Sequence, residues 1–144
     1  MIGIVVAAHG GLAEALVKTA CTVFPEGSPV EAVGITENDD AASYDLRLHE
    51  AVLKVGGANG VLVLTDMFGG TPSNVGLTMH QAGRVEVLTG ANLPMLIKAM
   101  QLASKNPDLA AVSKQVKEYG QRSIAVASEV LGVGKPVTPG ESRT

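Results

Sequence analysis

Residues 60–65, Gly60-Val61-Leu62-Val63-Leu64-Thr65, form a short unbroken apolar run that opens on a glycine and closes on a polar stretch. A strand with one wetted face alternates apolar and polar residues, whereas this one has no polar position until its end. It therefore reads as a strand buried on both faces, which is the signature of a parallel sheet sandwiched between helices. Ile2 to Ala7 and Arg84 to Thr89 are likewise short runs rich in β-branched residues and bounded by turn residues, and Val30 to Thr36 is a weaker fourth strand. Helical spacing fills the gaps: Leu12, Leu16 and Ala20 before Phe24, then Leu46, Val52 and Leu53 before the Gly56-Gly57 stop. Ser73 to Gln81 and Leu93 to Ser104 read as two more helices, with Pro72 and Pro94 near their first turns, where a missing N–H costs nothing. A further helix runs from Asp108 to about Tyr119. Strand and helix alternate, so the fold class is open α/β. Gln121 to Val130 reads equally as a continued helix or as an edge strand, and that choice stays open.

The composition fits one domain and narrows its chemistry. The chain has 144 residues, 46% hydrophobic and 17% charged, enough for one core and too apolar for a disordered chain. Residues 1–131 are expected to form the domain, and 132–144, with Pro136, Pro139 and Gly140 among polar neighbours, a flexible tail. A net charge of −3 gives no broad basic field for a nucleic-acid backbone or an anionic membrane, so an anion would have to be bound locally. With two Phe, two Tyr and no Trp, a base-stacking platform is excluded and the core must be aliphatic. Cys21 is the single cysteine, which rules out an internal disulfide and a cysteine-rich metal site. The first eight residues lack a basic n-region, and no apolar run reaches the roughly 18 residues of a membrane span. A cytoplasmic location is expected.

In open parallel sheets, ligands bind outside the carboxyl ends of the strands, where the strand order reverses. The strand exits here are His9-Gly10-Gly11, Thr36-Glu37-Asn38, Asp66 to Asn74 (DMFGGTPSN) and Gly90-Ala91-Asn92. His9 stands where an apolar strand stops. It either caps the strand or uses the one side chain that titrates near neutrality as a nucleophile or ligand. Asp66, alone, would be a turn or helix cap. At the exit of a neighbouring strand it would accept a hydrogen bond from one imidazole nitrogen and leave the other with its lone pair outward. Gly69, Gly70, Thr71 and Ser73 make a donor-rich loop leading into a helix, where amides, two hydroxyls and the helix end would face an anion; the plainer reading is a turn capped by Thr71.

Other residues carry less. His49 and His80 have no partner at ligand spacing, and Cys21 reads as core. Met79, Met95 and Met100 fill aliphatic space, while Met67 and Phe68 suit an apolar rim around the site. Asp39 and Asp40 suit the start of the second helix. Neither GxGxxG nor GxxxxGK[ST] is present, and the acidic pair that a receiver-type phosphoaspartate site needs after its first strand is replaced by His9.

Three stretches, IVVAAHGGLAEALVKTA, LVLTDMFGGTPSN and VLTGANLPML, resemble the phosphohistidine segment, the aspartate loop and the fourth-strand exit of the mannose-type (mannose/fructose/sorbose) enzyme IIA domains of the bacterial phosphoenolpyruvate-dependent sugar phosphotransferase system. The resemblance covers about residues 2 to 130. It implies a three-layer flavodoxin-like sheet of parallel strands ordered 2-1-3-4, and a homodimer in which the C-terminal segment can complete the partner's sheet as an exchanged edge strand. It further implies that His9 accepts a phosphoryl group from the histidine phosphocarrier protein and passes it to a IIB domain, an activity that makes the chain a phosphotransferase needing no cofactor or metal. Asp66 would orient His9, with Gly10, Gly69, Gly70, Thr71 and Ser73 binding the phosphoryl group. Leu12, Met67, Phe68 and Asn92 would form the partner rim. Phe68 departs from the Trp of the best-studied type, and no IIB domain follows in this chain, so the acceptor is expected to be a separate protein. The alternative is a regulatory module in which the phosphorylation state of His9 controls a partner protein. The sugar is not implied, because specificity lies in the membrane subunits.

Overall fold

The computed structural model describes residues 1–132, and the tail expected at 132–144 lies, from residue 133 onward, outside the described residues. Four strands, β1 (Gly3–His9), β2 (Val30–Ile35), β3 (Val61–Thr65) and β4 (Val85–Leu88), form one sheet in the order β2-β1-β3-β4. All three pairings are parallel. Six helices complete the chain: α1 (Leu12–Val23), α2 (Ala41–Val55), α3 (Thr71–Thr78), α4 (Leu93–Ala103), α5 (Leu109–Arg122) and α6 (Ala127–Leu131). None is long and apolar enough to cross a membrane.

The two-residue period of the strands builds two cores. On one face Ile4, Val6, Ala8, Leu62 and Leu64 pack against α1, α4 and α5; on the other Val5, Ala7, Val61 and Val63 pack against α2 and α3. Every residue of β3 is buried, as the unbroken run of residues 60–65 requires. β2 and β4 lie at the edges and are only partly covered. The expected fold, order and parallel sense are those observed.

Several local expectations are corrected. Cys21 is exposed rather than core, because α1 turns Ala13 and Ala20 inward and position 21 lies about 100° further round the helix. In α2 the core stripe is Tyr44, Leu48, Ala51 and Val55, so Leu46 and Leu53 point to solvent. The third helix starts two residues earlier than expected, at Thr71, and stops at Thr78, closed by Met79 and His80 amides returning to Gly76 and Leu77. The open choice at 121–130 resolves into the end of α5, an irregular link at 124–126 and the short α6; among the described residues no fifth strand forms.

Candidate functional site

β1 and β3 are neighbours at the point where the strand order reverses, since β1 leads outward to β2 and the chain then crosses to β3 on its other side. Ala7 and Thr65 are paired across the two strands, so the residues that follow, His9 and Asp66, emerge side by side at the carboxyl edge. Their geometry is specific. Asp66 Oδ2 lies 2.8 Å from His9 Nδ1 and accepts the His9 backbone N–H at 2.9 Å, while Oδ1 accepts the Met67 N–H at 2.9 Å. Partial burial works to raise the Asp66 carboxyl, but the His9 N–H, the imidazole and the Met67 N–H together outweigh it and hold the carboxyl below the usual carboxylate value. The site's carboxylate is therefore ionised at neutral pH. A carboxylate can only accept, so it fixes the proton of a neutral imidazole on Nδ1 and leaves the Nε2 lone pair free. The ring is 47% exposed, against 11% for Asp66, so the nucleophilic nitrogen stands at an open surface rather than in a deep cleft.

The glycines around it have separate duties. Gly10, at φ +56°, reverses the chain directly after His9 and lets α1 begin. Gly70 lies against the imidazole: a Cβ there would sit 2.7 Å from His9 Cε1 and 3.3 Å from Nε2. The space in front of Nε2 exists because residue 70 has no side chain. The backbone N–H groups of Gly69, Gly70 and Thr71 donate to no backbone carbonyl among the described residues, and they precede or open α3, whose N-terminal end carries a partial positive charge.

Two expectations about this loop change. Gly70 is the N-cap of α3 and makes no side-chain cap, so Thr71 is the first helical residue rather than the cap, and it is partly exposed. Ser73 is fully buried with its hydroxyl unpartnered, as is the neighbouring Thr65, because the third position of α3 turns inward toward β3. Of the two hydroxyls expected at the loop surface, only that of Thr71 stands there. Leu12, Met67 and Phe68, in the segments that follow β1 and β3, are exposed at 44, 55 and 74%. Asn92 caps α4 by accepting the Met95 N–H at 2.9 Å, so its side chain is engaged in holding the fourth exit. His49 and His80 are exposed and stand beside Asp45 and Glu86, away from the His9 edge. At the β2 exit, read in the sequence only as Thr36-Glu37-Asn38, Thr36 is joined by Asp39 and Arg47; the signal of that junction is faint because the three come together only when α2 folds back over β2.

Comparison with known proteins gives the family and the fold. A family model described as EIIA-man, PTS system fructose IIA component, matches residues 3–117. The PTS system fructose-specific EIIA component of Bacillus subtilis (strain 168) is 28% identical over 132 residues, covering 91% of this chain and 90% of that protein. The PTS system mannose-specific EIIAB component of Escherichia coli (strain K12) is 27% identical over 124 residues, and the match spans only 38% of its length. Among solved structures, phosphotransferase system component EIIA from Streptococcus agalactiae superposes with a TM-score of 0.80 at 23% identity, covering 90% of this chain and 99% of that one. The mannose/sorbose specific IIA subunit from Enterococcus faecalis superposes with a TM-score of 0.77 at 25% identity, covering 87% and 93%.

Proposed function

Since the chain belongs to the fructose and mannose type IIA family of the sugar phosphotransferase system, we propose that His9 is its phosphoryl acceptor, loaded by the histidine phosphocarrier protein and discharged to a separate IIB protein. The observation that carries this reading is the 2.8 Å contact of Asp66 with Nδ1, which leaves Nε2 nucleophilic at an open edge. The Nε2 lone pair attacks phosphorus as the phosphorus–nitrogen bond of the donor breaks and the electron pair returns to the donor imidazole. The positive charge that the His9 ring acquires is held by Asp66 through the Nδ1–H. Phosphoryl transfer needs mainly positioning and stabilisation of charge on the equatorial oxygens, and the amides of Gly69, Gly70 and Thr71, the Thr71 hydroxyl and the end of α3 supply donors there. Gly10 shapes the turn. Ser73, being buried, serves the loop from beneath.

Leu12, Met67 and Phe68 form the surface on which two protein partners dock in turn, an arrangement that suits a site open enough for two imidazoles to approach. A homodimer accompanies this reading. It is supported by the outer edge of β4, which no strand covers among the described residues, and by Ile124, Val126, Val130 and Leu131, all more than half exposed. Sedimentation equilibrium would give twice the chain mass, and a monomer at micromolar concentration would refute the dimer. The carrier role is tested by isolating the phosphorylated protein and adding a mannose-type IIB protein. Loss of the phosphoryl group to IIB is expected; a phosphoprotein that no IIB discharges would replace the carrier with a regulatory module in a cytoplasmic partner network.

A further inference from the structure

On its β2 side, the turn after His9 leans on the backbone of β2, with few side chains around it. Gly10, Gly11 and Gly34 contribute no side chains, and with Ala32 and Thr36 they border a hollow of about 470 Å³. Arg47, from the second turn of α2, reaches into this region. Its Nη2 donates to the Gly34 carbonyl at 2.9 Å and pairs with Asp39 Oδ2 at 2.8 Å. The same carboxylate oxygen accepts the Thr36 N–H at 2.9 Å and the Thr36 hydroxyl at 3.1 Å. The guanidinium also lies 5.5 Å from the ring centre of the buried Tyr44, which fixes its approach.

Gly34 is where β2 bears on the His9 turn. A Cβ there would lie 2.5 Å from the Gly10 carbonyl oxygen, and the next residue, Ile35, accepts the Gly10 N–H through its carbonyl at 2.8 Å. One arginine thus ties the end of β2, against which the residue after His9 leans, to the Thr36–Asp39 turn that follows it. We propose that Arg47 is a positioning residue for His9, clamping the β2 exit so that the His9–Gly10 turn keeps Nδ1 on Asp66 and Nε2 directed outward. The role rests on the reading of His9 as phosphoryl acceptor.

Arg47 stands off the buried stripe of α2 and its side chain is 41% exposed, so its replacement leaves the core whole. A surface pair of this kind adds little to stability, which separates a positioning effect from a folding one. The test uses the full chain with 15N-labelled histidine, comparing wild type with Arg47→Gln, Arg47→Lys and Asp39→Asn, the last breaking the clamp from its other side. At a pH where the imidazoles are deprotonated, the His9 ring of the wild type, assigned apart from those of His49 and His80, should show a single tautomer, with the proton on Nδ1. Arg47→Gln and Asp39→Asn should show a mixture of tautomers and accept the phosphoryl group about ten-fold more slowly at an unchanged melting temperature. Arg47→Lys, which keeps a charged donor, should fall between. A wild-type tautomer signal in both Arg47→Gln and Asp39→Asn, or acceptance at the wild-type rate, would overturn the proposal. If the wild type accepts no phosphoryl group, the functional reading fails, and the tautomer comparison alone decides the positioning role.

Discussion

Replacing Gly70 by Ala adds one methyl group at the most sensitive place on the site. The backbone tolerates it: φ −83° and ψ 168° are ordinary extended values open to any residue. The conflict is with the imidazole, because the new Cβ would lie 2.7 Å from Cε1 and 3.3 Å from Nε2. Carbon atoms settle at about 3.5–4.0 Å, so the ring must retreat by about 1 Å. That movement either lengthens the 2.8 Å contact to Asp66 or turns Nε2 away from the incoming phosphorus. A misplacement of this size costs about 10²-fold in a reaction that depends on alignment. Stability should barely change, since the poorer helix cap and the stiffer unfolded chain oppose each other, each by less than about 1 kcal/mol. The assay is the initial rate of phosphoryl acceptance from the phosphorylated histidine phosphocarrier, with thermal unfolding alongside. Gly69→Ala is the control: it faces open space but sits at φ +85°, so it should cost about 1–2 kcal/mol of stability without crowding the ring. A Gly70→Ala protein that accepts phosphoryl groups at the wild-type rate would refute the idea that residue 70 clears the path to Nε2.

Asp66→Asn should fold but accept phosphoryl groups at least about ten-fold more slowly, because the amide can donate and no longer fixes the proton on Nδ1. Since the Asp66 carboxyl is held below its unfolded value, its stabilising contribution is full above about pH 4 and is lost as pH falls through the lower folded value; the melting-temperature gap between wild type and Asp66→Asn should therefore shrink in acid, and a gap independent of pH would contradict this. Leu64→Ala, at a fully buried position of β3, should cost about 2–5 kcal/mol in denaturant unfolding, whereas a change under about 1 kcal/mol would mean that the strand is not sandwiched. Cys21, being exposed, should react with a thiol reagent in the native protein at a rate close to that of the unfolded chain; protection would return it to the core.

The strands and their exits were legible because they follow from local sequence, and the strand order implied by the family resemblance then set His9 beside Asp66. Apolar runs that end abruptly at polar residues mark buried strands and their exits, and parallel order then brings neighbouring exits together. What the sequence left obscure depends on phase and on distant contacts. The stripe of α2 could not be set from Leu46 and Leu53, because α2 carries apolar residues on more than one side and only docking chooses Tyr44, Leu48, Ala51 and Val55. Cys21 follows the inward Ala20 by one residue, and a small apolar residue beside it gave no warning of the turn to solvent. Thr71 and Ser73 look alike in GGTPS, yet the helix begins at Thr71 and carries Ser73 inward. Arg47 was invisible as a site residue, since its partners Gly34 and Asp39 lie on a strand and a loop that meet it only in three dimensions.

Everything proposed for this site depends on His9 carrying the phosphoryl group. That role is tested most directly by measuring the intact mass of the protein after incubation with phosphoenolpyruvate, enzyme I and the histidine phosphocarrier, for wild type and for His9→Ala. Because His9 is half exposed at a strand end, the variant should keep the wild-type fold. One acid-labile phosphoryl group is expected on the wild type and none on His9→Ala. Equal phosphorylation of the two proteins, or none on a folded wild type, would contradict that role.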